Sequence, residues 1–479
     1  MKGGAPSPRR AVPTAALALA SLSACAVGPD YHTPAFPAPH AYAETPSAEA
    51  AVTPADAGGL HDWWLQFHDA TLTGLIERGL RDSPTLAIAT SRIRAARLKG
   101  IEAGAAGLPS VTADGSALAL RTGGGELPAH LNLYSAGFDA TWEVDLFGAT
   151  RRAVEAAGAN IEAGVWDRRD GEVSLSAEIA KDYFTLRALQ TRIRVGVEEL
   201  GRQKELFALI GARRQAGFVT ELDVNQQSTL VQTAAAQIPQ LDAQARARLH
   251  ALYILLGEAP EGLTLELAPL PGYPASPPPP PLPPPGLPSD LLKQRPDIRA
   301  AERRLAAGNA EIGVKTAALY PKFDLVGLAT FAGSSLDEFF SRQNLVMAAL
   351  GLATEPVFDA GRNRASLGEA KEEYTQAEFA YRIAILGALR DVEDSLARHQ
   401  AEQTRHASIF AALQAAQSTL AIAEAQYRTG FVTFVNVLQA EVAVLGARDQ
   451  LVQSDASLTT DLVAVYKALG GGWSTGAAK

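Results

Sequence analysis

Two hydrophobic periods divide the chain. From Tyr134 to Val144 the period is two: Tyr134, Ala136, Phe138, Ala140, Trp142 and Val144 are apolar, while Ser135, Gly137, Asp139, Thr141 and Glu143 between them are small or polar. That run suits the tilted strand of about 9–11 residues that crosses an outer membrane, apolar face to lipid and polar face to lumen. The competing reading is a strand of a soluble sandwich, where about 5–6 residues is usual. Val111–Arg121 is the partner strand and alternates less cleanly, with Thr112, Asp114 and Ser116 set against Val111, Ala113 and Ala117. Gly123, Gly124 and Gly125 supply a loop tip between them. A second pair, Phe323–Phe331 and Leu345–Val357, flanks a loop from Gly333 to Gln343 and is more apolar throughout.

Elsewhere the period is helical. Pro84 opens a helix at its first position, where a missing N–H costs nothing, and Pro109 stops it. Ile88, Ala95, Leu98 and Ile101 space as one apolar face. After each strand pair comes a very long helical stretch, since no proline lies between Pro128 and Pro239 or beyond Pro356. Ile179, Leu186, Ile193, Leu200 and Phe207 recur every seventh residue, as do Leu438, Leu445, Val452 and Tyr466 within the same step. Such a repeat is a coiled-coil seam with left-handed supercoiling. Gly148 to Ala216, helical throughout, would reach roughly 100 Å. Gly158, Gly164, Gly171, Gly196 and Gly201 work against that continuity, each by up to ~1 kcal/mol relative to Ala. The turns fall at Gly217-Phe218-Val219-Thr220 and Gly430-Phe431-Val432-Thr433, where Gly takes the left-handed position and Thr caps the next helix.

Those twin turns belong to a duplication. Pro84, Arg92, Ala95, Ala105 and Pro109 recur 212 positions later as Pro296, Arg304, Ala307, Ala317 and Pro321. Gly148, Arg151, Gly217, Phe218, Val219, Thr220, Tyr253, Leu256 and Gly257 recur 213 positions later, from Gly361 to Gly470. The unit is too large for a solenoid repeat of about 20–50 residues, so the protein reads as two copies of one helix, strand hairpin and long helical hairpin. The implied organisation is residues 83–257 for the first copy, 258–294 for a linker and 295–470 for the second, with a tail at 471–479. Pro271–Pro288 holds eleven prolines in eighteen residues, a polyproline II spacer between the copies.

Four strands cannot close a barrel, which needs at least about eight, and an open edge facing lipid leaves backbone groups unpaired. The chain must therefore oligomerise; three copies would give a twelve-stranded pore. The fold class is mainly α with a β-barrel part.

Composition narrows the partners. The net charge of −9 argues against nucleic acid. Lys2, Arg9 and Arg10 precede a short apolar run, Ala15 to Leu22, which is the layout of a secretory signal over residues 1–24. Ala24-Cys25-Ala26 would serve an ordinary signal peptidase. Leu22-Ser23-Ala24-Cys25 instead resembles the bacterial lipobox, in which Cys25 becomes the acylated first residue. A cysteine used nowhere else in the chain is better explained as a lipid attachment point, carrying N-acyl (palmitate) and diacylglyceryl groups, than as a core residue. Residues 25–82 are then a lipidated arm and an equatorial segment.

Several motifs carry a family likeness. Gly28-Pro29-Asp30-Tyr31-His32-Thr33-Pro34, Trp63-Trp64-Leu65-Gln66-Phe67-His68-Asp69 with Leu72, Leu75 and Ile76, Arg295-Pro296-Asp297-Ile298, Ala301-Glu302, Ile312-Gly313, Tyr320-Pro321 and Lys467-Ala468-Leu469-Gly470-Gly471-Gly472-Trp473 together resemble the lipoprotein outer-membrane efflux factors of tripartite, RND-type pumps, the TolC-like family. The resemblance implies a homotrimer in the outer membrane, with a β-barrel continuing into an α-helical tunnel through the periplasm. It implies a periplasmic adaptor (membrane fusion) protein meeting the tips Gly217–Thr220 and Gly430–Thr433, and an inner-membrane transporter supplying small toxic solutes. It also implies a periplasmic gate: Tyr427-Arg428 matches the family's Tyr-Arg latch, with Asp223 as acceptor. Where many relatives carry Asp on the returning helix, this chain has Gln439, which points to a weaker or differently paired latch.

Enzyme signatures are missing: there is no phosphate loop, no G-x-S-x-G and no H-E-x-x-H. No cofactor is implied. His399, Glu402 and His406 share a helical face, but histidines seven apart sit about 10 Å from each other, too far to share an ion, and they stand at seam positions. Two other classes are weighed, a protein-secreting (type I) channel of the same fold and a coiled-coil periplasmic lipoprotein without a pore; the second would lack the Tyr134–Val144 alternation.

Overall fold

The computed structural model describes residues 26–37, 39–44, 60–121, 130–259, 267–269, 280–286, 288–336 and 339–473. The signal segment, Cys25, the Gly123–Gly125 tip and most of the proline run lie outside them. Among the described residues the helices are α1 (Ala70–Asp82), α2 (Pro84–Ala105), α3 (Ala149–Gln215), α4 (Glu221–Leu256), α5 (Pro288–Gln294), α6 (Pro296–Ala317), α7 (Arg362–Arg428) and α8 (Phe434–Ala468). The strands are β1 (Ser110–Arg121), β2 (His130–Glu143), β3 (Lys322–Gly333) and β4 (Leu345–Thr354). The duplication is visible in the lengths: α3 and α7 both have 67 residues, and β1 and β3 both have 12.

The chain forms two compact units, each drawn from both copies: Met1–Phe36, Arg92–Val165 and Ala300–Ile383 in one, and Pro37–Ser91, Trp166–Arg299 and Ala384–Lys479 in the other. The first holds the sheet, antiparallel in the order β1-β2-β3-β4. Ser110 pairs with Thr141, Tyr134 with Gly333 and Lys322 with Thr354 at the starts of the three ladders. The register puts Val111, Ala113, Phe138, Trp142, Leu325, Phe331 and Met347 on one face, and Thr112, Asp114, Ser116, Ser135, Asp139 and Thr141 on the other.

The core of the second unit is built by the Trp-Trp segment. Trp63 is fully buried and stacks on Tyr466 at 5.2 Å, Phe67 packs on Phe184, and Leu72, Leu75, Ile76 and Ile179 complete the layer. Burial pushes the Tyr466 hydroxyl up to about 12, and it donates to Gln66 Oε1 at 2.7 Å. Asp69 caps α1 by accepting from the Thr71 and Leu72 amides, and its other oxygen accepts from the Tyr183 hydroxyl at 2.6 Å. One stretch of sequence therefore supplies an aromatic core, a helix cap and the bond to α3.

Two expectations are corrected. The face Ile88, Ala95, Leu98 and Ile101 is exposed in one chain; α2 instead buries Leu86 and Ile93. Those two pack where α3 has Gly171 and Gly164, whose missing side chains leave room at 3.2 and 3.5 Å. Close packing of this kind accounts for Gly171 and, at ordinary contact distance, for Gly164, whereas Gly158 and Gly201 have open space beside them and α3 continues through them despite their propensity cost. The heptad seam holds from Ile179 to Leu186, then drifts: Phe207 is 36% exposed, and Ile210 is buried in a cluster with Phe434, Val437 and Leu438, with Leu206 packed against it. At about 100° per residue Ile210 stands about 60° round the helix from Phe207, so the buried face of α3 turns there toward Phe434, Val437 and Leu438 of α8.

Candidate functional site

Three places carry the functional expectations: the segment after Cys25, the sheet, and the helical hairpin tips. Cys25 itself lies outside the described residues, but Ala26 onward is laid firmly on the first unit. Val27 N–H donates to Phe147 O at 3.0 Å, and Asn309 donates to Pro29 O at 2.8 Å. Arg152 bridges Asp30 and Glu155 at 2.9 and 2.8 Å. The Tyr31 and Thr33 hydroxyls donate to Glu302 Oε1 at 2.7 and 3.1 Å. Burial works to raise the Glu302 carboxyl, but bonds from Arg303, Tyr31 and Thr33 outweigh it and hold that group below the usual carboxylate range. The Tyr31 hydroxyl is pushed well above its ordinary value by burial and by the adjacent carboxylate. Gly28 adopts φ +97° and crosses Gly313 so closely that a Cβ on it would stand 2.5 Å from the Gly313 Cα. Four separated motifs, Gly28–Thr33, Glu302, Gly313 and Phe147-Gly148, thus make one clamp. The sequence displayed Gly28–Thr33, Glu302 and Gly313 in separate motifs and Gly148 as a duplicated position; nothing in it announced that they touch.

The sheet leaves β1 and β4 as open edges among the described residues. Its apolar face is continuous across all four strands, with Phe138 at 61% and Met347 at 73% exposure. On the opposite face the Ser116 and Ser135 hydroxyls meet at 2.8 Å. No described helix is long and apolar enough to cross a membrane.

At the tips the duplicated turns are alike. Gly217 and Gly430 take φ +79° and +81°, a conformation that suits glycine. Phe218 N–H donates to Arg213 O and Gly217 N–H to Arg214 O, and the second copy repeats this with Phe431 to Gln426 O and Gly430 to Tyr427 O. These are Schellman closures. They throw Phe218 and Phe431 outward, at 81% and 83% exposure, while Val219 and Val432 are half-buried. The caps differ. Thr220 forms a full capping box with Asp223, whereas Thr433 makes no side-chain cap and its hydroxyl donates to Asn436 Oδ1 at 2.9 Å.

Of the gate residues, Tyr427 is tied within the chain. Arg213 Nη1 donates to its hydroxyl at 2.8 Å, the guanidinium lies 5.2 Å from the ring centroid, and the ring packs on Phe434. Arg428 is exposed and faces Glu424 at 3.5 Å. Asp223 is engaged by the Thr220 amide and hydroxyl at 2.8 and 2.7 Å. The described contacts of one chain do not join Arg428 to Asp223. Gln439 lines a groove with Gln226, Leu230 and Val442; Gln226 is its own duplicate. Arg213 was missed because its partner comes from the other copy.

Above the tips, a polar cluster crosses between the hairpins. Glu199 is 4% exposed and accepts from Gln203 Nε2 at 2.8 Å, while Gln227, fully buried, donates to the Gln203 carbonyl at 3.1 Å. Glu441 faces them, its carboxyl raised by burial and by Glu199. His406 Nε2 lies 2.8 Å from Asp455, and His399 is buried beside Gln403, its pKa lowered by burial.

The comparisons with known proteins agree with this arrangement. The outer membrane efflux protein family matches residues 75–258 and again residues 287–471. The pyoverdine export outer membrane protein OpmQ of Pseudomonas aeruginosa is 31% identical, over 88% of this chain and 89% of its own. The outer membrane protein OprJ of the same organism is 30% identical, over 97% and 96%. The solved outer-membrane channel OprN superposes with a TM-score of 0.85 at 35% identity, covering 94% of this chain and all of its own. The mainly helical architecture with a small sheet, the outer-membrane location and the efflux role expected from the sequence all agree with these relatives. The chain belongs to the outer membrane efflux protein family, with a TolC-like fold and a place in the outer membrane as a component of an efflux system.

Proposed function

We propose that the chain is the exit duct of a tripartite pump. Three copies pool their strands into one barrel, their long helices line a periplasmic tunnel, and small toxic solutes from an RND-type transporter and its adaptor leave through it. The observation that carries this reading is the four-stranded sheet with an apolar face and two unpaired edges, which lipid would not tolerate in a single copy. The duct works as a conduit and not as an enzyme. Acylated Cys25 would anchor each subunit, and the clamp on Ala26–Thr33 supports this by fixing the chain beside the end of β2. The exposed Phe218 and Phe431 would meet the adaptor, together with Gly217, Val219, Thr220, Gly430, Val432 and Thr433. Tyr427, Arg428 and Asp223 would close the periplasmic entrance, with Arg428 reaching a neighbouring subunit. The test is reconstitution of the detergent-purified protein in a planar bilayer: a trimer with ion current is expected, and a monomer, or an assembly without current, overturns the reading.

A further inference from the structure

The internal duplication fixes how two subunits would join, residue by residue. Every β3–β4 pair is a β1–β2 pair moved by 212 on the first strand and 213 on the second: Ser110↔Thr141 becomes Lys322↔Thr354, Val111↔Ala140 becomes Phe323↔Ala353, and Ala119↔Asn132 becomes Phe331↔Leu345. The offsets read from the sequence therefore transfer strand register without slippage. One ladder, β2–β3, joins the two copies and has no counterpart within the chain. Its image under the same offsets pairs β4 of one subunit with β1 of the next.

We infer that the subunit seam copies the β2–β3 register. Ala136↔Phe331 and Ala140↔Gly327 then become Ala349 opposite the partner subunit's Ala119, and Ala353 opposite the partner subunit's Gly115. The inference rests on the trimeric reading above and gives it a register.

Three independent features fit. The pleat agrees: Ala349 and Ala353 share a face with Leu345, opposite Phe331, and Ala119 and Gly115 share a face with Val111, opposite Ala140, so lipid-facing residues meet lipid-facing residues. A shift of one residue would turn one edge inside out. Next, apolar residues interrupt the polar face on every strand, with Leu133 on β2 and Val326 and Leu328 on β3, and both edges carry them too: Leu118 and Leu120 on β1 and Val346, Leu350 and Leu352 on β4, all at least 42% exposed. The copied register sets Leu350 against the partner subunit's Leu118 and Ala348 against the partner subunit's Leu120, so both edge leucines of β1 gain an apolar neighbour, while Leu352 meets the partner subunit's Ser116. Finally, Val144 N–H extends the β2–β3 ladder by donating to Phe323 O at 2.7 Å. Its duplicate, Val357, is 99% exposed and acquires the partner subunit's Val111 carbonyl. At one point the copy must open out. The template is tight where Gly137 meets Thr330, with only 2.5 Å for an added Cβ, and leucines stand at the copied positions.

Cysteine cross-linking tests the register. Ala119→Cys with Ala349→Cys changes two exposed alanines by one sulfur atom each. The competing pairs, Ala117→Cys/Ala349→Cys and Arg121→Cys/Ala349→Cys, report slips of two residues either way. Directly opposed Cβ atoms stand about 4.5–5.5 Å apart and diagonal ones about 7–8 Å, so a disulfide should form in the first variant and be scarce in the others. Oxidised outer membranes should give covalent multimers that dithiothreitol collapses, and the single-cysteine variants should give none. Light scattering in detergent gives the mass of each variant before oxidation, which screens out misfolded material. A trimer linked best through Ala117→Cys or Arg121→Cys, or through none of the three, overturns the register and leaves the trimer standing. A monomeric mass with no cross-link overturns the trimer itself.

Discussion

The tie between Arg213 and Tyr427 yields a quantitative prediction for opening. It joins the end of α3 to the end of α7, so any movement of one hairpin tip away from the other must break it. A hydrogen bond with one charged partner contributes about 1.5–3 kcal/mol, and a guanidinium over an exposed ring about 0.5–1 kcal/mol. Arg213 is only half-buried, so solvent screening brings the sum down to roughly 1–2 kcal/mol, a factor of about 5–30 in the closed-to-open ratio. Tyr427→Phe removes the hydroxyl and keeps the ring, Arg213→Ala removes both contacts, and the double variant closes the cycle. Single-channel recording would show each single variant raising open probability, Arg213→Ala the more, with the double variant no further open than Arg213→Ala. Additive effects, or single variants that gate like the parent, would refute the claim that these side chains act through each other.

Other tests bear on the rest of the chain. Gly28→Ala should dislodge the N-terminal clamp, because a side chain at φ +97° would also strike Gly313; early trypsin cleavage after Arg152 or Arg303 would report it, at a cost of about 1–3 kcal/mol in stability. Glu302 is held below its ordinary value of 4.5, so its contribution is complete above that pH and lost as the pH falls through the folded value; Glu302→Gln should flatten the acid limb of the unfolding profile. Glu441 behaves oppositely, being raised by burial and Glu199. Its contribution is complete below 4.5 and lost as pH rises through the folded value, and hydrogen exchange in α8 should show that slope vanish in Glu441→Gln. Arg428→Ala should leave the detergent-unfolding midpoint unchanged, given one exposed contact at 3.5 Å, yet raise conductance; unchanged conductance would remove Arg428 from the gate.

How far the sequence could be read depended on where a residue's partner lies. Elements held by their own neighbours were legible: Pro84 and Pro109 bracket α2, the period-two run gives β2, and Gly217 and Gly430 mark both turns. Continuity of α3 was harder to foresee, since Gly164 and Gly171 look like helix weaknesses until Ile93 and Leu86 are seen filling the space beside them. The seam was legible until the buried face of α3 turned from Phe207 to Ile210, where α8 packs against it. Contacts across the whole chain were not legible at all. Tyr31 and Glu302 are 271 residues apart, and Arg213 and Tyr427 are 214 apart, with no spacing rule to connect them.

The duplication also shows where the two copies have been given different work. Hairpin registers and Schellman turns are shared, because backbone geometry tolerates few alternatives there. Side chains at the tips are not: Arg213 corresponds to Gln426, Gln215 to Arg428 and Asp223 to Asn436. The first copy keeps its carboxylate in a capping box, and the second presents its cation free of Asp223. If both tips carried both charges, each hairpin could satisfy itself locally and nothing would favour contact between hairpins. Splitting Arg213, Arg428 and Asp223 between the copies leaves the first tip with a cation whose partner, the Tyr427 hydroxyl, is on the other hairpin, while Arg428 and Asp223 meet Glu424 and Thr220 locally. A hydrogen bond from a charged donor is stronger than a neutral one and fixes the orientation of that contact, and screening by salt of the exposed cation keeps it releasable. High salt should therefore raise open probability in the parent protein more than in Arg213→Ala, and equal salt responses would show that the tips close by packing of Phe434 and its neighbours instead.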